Sequence, residues 1–204
     1  MPANDFRRFG ATCALLAGVG SFLYAVAFVV IAPGNPELGP QLYSALLMAN
    51  GLLATAALVA LYQVVRGVNE GMALWGLLLG VAGQVGAAAH GAYDLSTVLG
   101  PGASATAASD AANVADPRGF LTFLVSGIAI IVLAQVVRNG RVLPANLGLF
   151  GVVTGIVLVW IYFARLLVLD AANPMLLVPV LLGGFVLVPG WYLWLGKELS
   201  NTPS

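Results

Sequence analysis

Residues Leu147 to Leu169 read LGLFGVVTGIVLVWIYFARLLVL, a run of 23 residues in which Arg165 is the only charged side chain. A helix needs about 20 apolar residues to cross the roughly 30 Å hydrocarbon layer of a membrane. The run therefore predicts a membrane-spanning helix.

Five other stretches have a similar length and composition and predict five more spans. The six predicted spans lie at about residues 9–31, 43–65, 72–95, 120–137, 147–169 and 175–195. The only long connection, about residues 96–119, follows the third span. We therefore expect an all-α integral membrane protein in which residues 1–204 form a single domain, a six-transmembrane-helix bundle.

The composition of the chain supports the same conclusion. Hydrophobic residues make up 60% of the sequence and charged residues 8%, with a mean hydropathy of +0.98, whereas soluble domains carry about a quarter charged residues. This excludes soluble and disordered chains. The net charge of zero argues against a nucleic-acid partner, which attracts a basic face. Membrane lipids are the expected surroundings, and Cys13 as a single cysteine excludes an internal disulfide.

Lysine and arginine residues divide unevenly between the two ends of the predicted spans. The end that holds both termini carries six of them: Arg7, Arg8, Arg66, Arg138, Arg141 and Lys197. The opposite loops hold four acids, Glu37, Asp110, Asp116 and Asp170, with Arg118 as their one basic residue. Since basic loops stay in the cytoplasm, we expect a bacterial-type inner (plasma) membrane protein with both termini cytoplasmic and an extracytoplasmic 96–119 loop.

Short sequence similarities suggest an internal repeat. Gln63-Val64-Val65-Arg66 recurs as Gln135-Val136-Val137-Arg138, at the ends of the second and fourth spans. A Leu-x-Gly-Val pattern begins the odd spans at Leu16, around Gly80 and at Leu149. Together these predict three tandem helical hairpins in one orientation. Coincidence among Leu, Val and Gly is the alternative.

The third span carries small residues at spacings of three and four: Gly76, Gly80, Gly83, Ala87 and Gly91. Such a face lets helix backbones approach closely in lipid, so we expect this helix at the centre of the molecule, with a binding groove as the alternative use. In the sixth span, Pro179 and Pro189 predict kinks. The tryptophans near predicted cytoplasmic ends, Trp75, Trp191 and Trp194, are typical of an interfacial belt.

One group of residues could carry chemistry. His90, the only histidine, precedes Asp94 by one helical turn. Alignment of the third and fifth spans on Gly80 and Gly151 places Asp94 and Arg165 at equal depth, which predicts an ion pair. Neighbouring polar and aromatic residues that could complete an outward-facing pocket are Gln84, Tyr93, Trp160 and Tyr162. The cluster is either a structural clamp or a site for a ligand or proton.

Three functions remain open from the sequence. A non-catalytic membrane subunit or scaffold fits the scarcity of ionisable groups, with other membrane subunits or further copies of the chain as partners. A small transporter or lipophilic-ligand-binding protein would use His90, Asp94 and Arg165. A lipid-modifying enzyme would use His90 as a general base. A single histidine excludes a bis-histidine haem or a two-histidine metal site, and we assign no catalytic residue, metal or cofactor.

Overall fold

The computed structural model describes residues 3–100, 113–168, 170 and 172–201. These residues form helices and connections, with no strand among them. Within these described ranges, six helices are long and apolar enough to cross a membrane. The predicted all-helical class and the number of span-length helices are therefore confirmed.

We number these helices α1 to α6 along the chain. Three contain a π-helical segment, in which hydrogen bonds run one residue further than in an α-helix. The bounds are: α1, Ala3–Val26 continued by Ala27–Ile31 (π) and Ala32–Gly34; α2, Leu38–Val65; α3, Glu70–Leu99; α4, Pro117–Gly119 (3₁₀), Phe120–Val125 (π) and Ser126–Gly140; α5, Ala145–Leu167; and α6, Pro174–Leu182, Gly183–Leu187 (π) and Val188–Asn201.

Local sequence explains several helix starts. The side chain of Asn69 accepts a hydrogen bond from the Met72 amide (3.1 Å) and caps α3. Asn173 caps α6 in the same way, with Pro174 in the first turn. The second helix starts at Leu38, five residues before its expected start at residue 43. Pro40 is tolerated there because the first-turn amides have no helical acceptor.

Neighbouring helices run antiparallel in a closed cyclic order. Each helix packs on the next along the chain, and α1 also packs on Val188–Asn201 of α6. The glycine environments show the antiparallel directions: Gly10 lies against Ala60 at one end of the α1–α2 pair, and Gly91 against Met48 in the α2–α3 pair. The packing between α2 and α3 is at least as extensive as that between α1 and α2. The packing therefore does not separate the six helices into three hairpins, and the threefold repeat stays a prediction.

The small residues of α3 contact two neighbouring helices. A methyl group added at Gly91 would meet the backbone of α2, with Met48 N at 2.5 Å, and one added at Gly76 would meet Leu133 of α4. Gly80 faces Leu58 of α2, Gly83 faces Ser126 of α4, and Ala87 is buried. The expectation of a central position for α3 is wrong, because its opposite face is exposed, as at Leu78 (60%) and Val85 (50%).

The sixth helix departs from α-helical geometry between its two internal prolines. Pro179 lies in the first α-helical segment, and Pro189 is the second residue after the π-helical turn Gly183–Leu187. Pro189 has no amide proton for the carbonyl one turn earlier, and the π turn shifts the hydrogen-bond register at that point. Trp191 is only 2% exposed, which corrects its assignment to an interfacial belt.

Candidate functional site

Two buried acids flank the imidazole of His90. Asp94 lies one turn later on α3, and its Oδ2 is 3.3 Å from His90 Nε2. Asp116 lies just before α4, and its Oδ2 is 3.2 Å from His90 Nδ1. His90 and Asp94 are buried, and Asp116 is completely buried. We call these three residues the acid–histidine triad.

Asp116 also holds the start of α4. Its Oδ1 accepts the Leu121 amide at 2.7 Å, and its Oδ2 accepts the amide and hydroxyl of Thr122 at 3.1 and 2.5 Å. Between Asp116 and Leu121, the backbone has positive φ values at Arg118 (58°) and Gly119 (75°). This left-handed step, which favours glycine, turns the first amides of α4 back toward the carboxylate.

Asn113 joins the same connection to α3. Its Nδ2 donates to Asp94 Oδ1 at 2.8 Å, and its Oδ1 accepts the Asp116 amide at 2.8 Å. Asn113 is 4% exposed. Two side chains of the connection before α4 are therefore fixed against one face of α3. Residues 101–112 of the predicted long loop lie outside the described residues.

The two ring nitrogens of His90 have different contacts. Nδ1 is in a hydrogen bond with Asp116 Oδ2, whereas Nε2 approaches Asp94 Oδ2 at 3.3 Å. The two acids therefore hold the imidazole ring from both sides.

The pKa of Asp116 reflects two opposing effects. Burial raises the pKa of this carboxyl, while hydrogen bonds from His90, from the Thr122 side chain and from the amides of Leu121 and Thr122 lower it. The hydrogen bonds dominate, so that the pKa lies below its ordinary value of 3.8. The Asp116 side chain is therefore an acceptor at neutral pH.

Arg165 lies at the same end of the molecule as Asp94, but the described contacts of the two residues are with other partners. Asp94 contacts His90 and Asn113, while the guanidinium of Arg165 lies 5.1 Å from the ring centroid of Phe123. Arg165 is 8% exposed. Arg118 Nη1 donates to the Arg165 carbonyl at 3.3 Å, which brings a second cationic residue to this end of the molecule.

A cavity of about 300 Å³ lies between the helices and is lined by residues of all six. Its lining extends from Ala17 to Pro33 on α1 and from Leu176 to Tyr192 on α6. Sixteen residues of helix rise about 24 Å, so the cavity is long and narrow. Arg165 lies toward the end near Pro33 and Leu176, and Tyr192 lies toward the other end.

The cavity wall is mostly apolar. Arg165 is the one charged residue among those described in the lining, and its uncharged polar members are Ser21, Tyr24, Asn50, Gln84, Thr122, Ser126 and Tyr192. Gln84 donates to Ser126 Oγ at 3.2 Å. Thr122 lines the cavity, and its hydroxyl also donates a hydrogen bond to Asp116. The acid–histidine triad therefore lies outside the cavity and holds Thr122 in the cavity wall.

The packing of α6 leaves one side of the cavity thinly covered. Its first segment, Pro174–Leu182, has no buried residue, and α1 packs closely only on the π turn and Val188–Asn201. The two helices approach each other where Phe22 contacts Phe185 and where Gly184 lies against Ala25. Beyond Ala25 and Gly184, no extensive packing joins α1 to the first segment of α6. We call this sparsely packed region the lateral gap.

The other predicted pocket residues are dispersed. Tyr93 is 37% exposed and Trp160 is 51% exposed, and the Trp160 indole donates to the Met175 carbonyl. Tyr162 packs against the rings of Phe120 and Phe163. Of the predicted group, Gln84 and Arg165 line the cavity, and His90 and Asp94 belong to the triad behind it.

The sequence interpretation missed three residues of the site, namely Asn113, Asp116 and Thr122. Asp116 precedes Pro117, and an acceptor followed by proline is a typical helix start, which could have placed Asp116 at the beginning of α4. Its contact with His90 depends on the path of the connection. Within the described residues, no group of three or more His, Cys, Asp or Glu side chains could hold a metal ion.

Comparison with known proteins adds no family. The chain matches no protein-family model, and no curated protein or solved structure is significantly similar to it.

Proposed function

We propose that this protein binds a lipophilic small molecule in the cavity between its six helices, as a carrier or ligand-binding protein of the membrane. The observation that carries the proposal is the long, mostly apolar cavity lined by every helix. Pockets for small molecules have volumes of roughly 300–1,000 Å³ and are lined mainly by apolar groups with a few polar ones. The cavity of about 300 Å³ meets this description.

The positions of the π-helical segments support a ligand site. Such segments often occur at functional sites, and each of the three contributes residues to the cavity wall: Phe28 and Val29, Thr122 and Phe123, and Gly183 and Gly184. The lateral gap between α1 and α6 would face lipid in a bilayer. A lipophilic ligand could then enter without crossing water.

We also propose insertion in a bacterial-type plasma membrane with both termini in the cytoplasm. The six basic residues at the terminal end of the helices support this orientation through the positive-inside rule. His90, Asp94 and Arg165 then lie in the outer half of the membrane, and Asp116 lies at its outer edge, just before α4. The connection between α3 and α4 is extracytoplasmic in this arrangement.

Native mass spectrometry of the full chain, released from its own membrane with lipids retained, tests the proposal. We expect a small-molecule adduct that is lost in Ala87→Phe, which fills the cavity, and kept in Val85→Phe, which changes an exposed position of the same helix. A chain without an adduct, accompanied by other protein subunits at a fixed ratio, would contradict it and favour a non-catalytic subunit or scaffold.

A further inference from the structure

We infer that the ligand is an uncharged lipophilic molecule with a hydroxyl group, and that this hydroxyl binds in the middle of the cavity between the side-chain amides of Asn50 and Gln84. The inference rests on the proposed function, since it assigns a chemical class to the occupant of the same cavity.

Four uncharged polar residues of the cavity wall come from four successive helices, α1 to α4, and lie near the middle of each helix. They are Ser21, Asn50, Gln84 and Ser126. We call them the mid-cavity cluster. Gln84 Nε2 lies 3.2 Å from Ser126 Oγ, and a methyl group added at Gly51, next to Asn50, would meet the Gln84 carbonyl oxygen at 2.5 Å. These contacts place the polar groups of α2, α3 and α4 at a similar depth.

The orientation of the Gln84 amide follows from its hydrogen bond. Ser126 Oγ donates to the Leu121 carbonyl at 3.1 Å, and a carbonyl only accepts. The Ser126 hydroxyl therefore accepts the hydrogen bond from Gln84 Nε2. Because the amide nitrogen of Gln84 is directed at Ser126, its Oε1 is directed away from Ser126, and this acceptor has no hydrogen-bond partner among the described residues.

The side chain of Asn50 supplies donors beside this acceptor. Its amide carries two N–H donors and one oxygen acceptor, and no residue that the structure describes forms a hydrogen bond with them. Gly20 provides space for this amide, because a methyl group added at Gly20 would meet Asn50 Oδ1. In the proposed membrane, the middle of the helices is remote from water, so unpaired amide groups there are costly. A bound group that accepts from Asn50 and donates to Gln84 would satisfy both side chains.

A hydroxyl is the smallest group that both donates and accepts a hydrogen bond. An ether, ketone or ester oxygen could accept from Asn50 but would leave Gln84 Oε1 without a donor. A charged group is disfavoured at this depth, because the mid-cavity cluster contains no ionisable side chain and an unpaired charge in lipid is costly. The cluster therefore favours an uncharged alcohol.

The extent of the cavity on the two sides of the cluster indicates where the apolar part of the ligand lies. From Ser21, the lining of α1 continues for about 18 Å of helix rise to Pro33 but for only about 6 Å to Ala17. The walls of the longer part are mainly aliphatic and aromatic, with residues such as Phe28, Leu47 and Val180. The apolar chain of the ligand therefore extends from the cluster toward Pro33.

Three probes with the same number of heavy atoms test the inference. 1-Dodecanol donates and accepts, methyl undecyl ether only accepts, and tridecane does neither. Binding is measured by titration of the full chain in nanodiscs of zwitterionic lipid, with empty nanodiscs subtracted and affinities referred to the probe concentration in the lipid. We expect the alcohol to bind roughly threefold to tenfold more tightly than the ether, which is the range for one hydrogen bond between uncharged groups. Tridecane should bind most weakly.

Substitutions then assign the preference to the two amides. Gln84→Met removes the acceptor and should bring the affinity of the alcohol down to that of the ether, with the ether and tridecane unchanged. Asn50→Leu removes the donors and should weaken the alcohol and the ether by a similar factor, with tridecane unchanged. This second variant decides the question if Gln84→Met, which also loses the hydrogen bond to Ser126, binds none of the probes. Gln63→Met, the same change at an exposed position, should have no effect.

The outcomes separate this inference from the proposed function. Equal binding of the three probes, blocked by Ala87→Phe, would overturn the hydroxyl class and leave the cavity function standing. An undiminished advantage of the alcohol over tridecane in both cluster variants would do the same, as would loss of tridecane binding in both. Binding of none of the probes in a way that Ala87→Phe blocks would overturn both proposals.

Discussion

His90 Nδ1 lies 3.2 Å from Asp116 Oδ2, although the two residues are 26 positions apart in the sequence. The contact joins the middle of one helix to the start of the next and crosses the longest connection of the chain. Because Asp116 also accepts the first amides of α4, one carboxylate couples the position of α3 to that of α4. The triad is therefore a structural support for the cavity wall at Thr122.

Loss of the Asp116 carboxylate should strongly destabilise the protein. Asp116→Asn keeps one oxygen acceptor but replaces Oδ2, which takes part in three hydrogen bonds, with an NH2 donor in a fully buried site. Breaking a buried pair costs about 3–5 kcal/mol. Thermal unfolding in detergent should show a lowered midpoint. Asp170→Asn, at an exposed position, serves as the control and should have the same unfolding midpoint as the unsubstituted protein. Equal midpoints for the two variants would show that the triad contributes little.

His90 and Asp116 should be energetically coupled. In a double-mutant cycle with His90→Gln and Asp116→Asn, the combined loss of stability should be smaller than the sum of the single losses, by about 0.5–3 kcal/mol. Denaturant unfolding of the four proteins measures this coupling. Additive losses would mean that the 3.2 Å contact between His90 and Asp116 does not contribute to the free energy of unfolding.

The protein should lose stability in acid through Asp116. The pKa of this carboxyl is lowered in the folded protein from an ordinary value of 3.8, so its stabilisation is present above pH 3.8 and is lost as the pH falls through the folded pKa. The melting temperature should therefore fall on acidification below about pH 4. The slope of this fall should be smaller in Asp116→Asn. An identical acid profile in that variant would contradict the assignment.

Close approach of α2 and α3 should make Gly91 intolerant of a side chain. A methyl group at this position would lie 2.5 Å from Met48 N and 2.6 Å from the Ser44 carbonyl oxygen, both backbone atoms. Gly91→Ala should cost about 1–3 kcal/mol. At Gly71, in the same helix, the nearest atom would be at 3.9 Å, and Gly71→Ala should be tolerated. Comparison of their denaturant midpoints checks this.

Removal of the Tyr192 hydroxyl should leave the stability of the ligand-free protein unchanged or raise it by about 1 kcal/mol. The side chain is 3% exposed, and its hydroxyl is buried without a hydrogen-bond partner among the described residues. Tyr192→Phe thus removes a polar group that folding desolvates. A clear loss of stability in delipidated protein would show that the hydroxyl has an internal partner.

The sequence was sufficient for the six long helices, because their apolar runs match the thickness of a membrane and end at polar, Gly or Pro residues. It also identified His90 and Asp94 as neighbours, since i,i+4 spacing is a local property of a helix. Arg165 was recognised as unusual because a charge within an apolar run is costly in lipid. All of these inferences depend on residues close together in the chain.

The partners of these residues depended on the tertiary structure. Asp94 and Arg165 have matching positions in their helices, yet their contacts differ. Asp94 accepts a hydrogen bond from Asn113, whereas the guanidinium of Arg165 lies over the ring of Phe123. Whether Asp116 reaches His90 depends on how the α3–α4 connection folds back, and periodicity contains no information on that path. The cavity likewise results from the cyclic order of six helices and from the divergence of α1 and α6. Hydropathy predicts that each helix spans a membrane, but the contacts of its particular side chains decide which helices are neighbours.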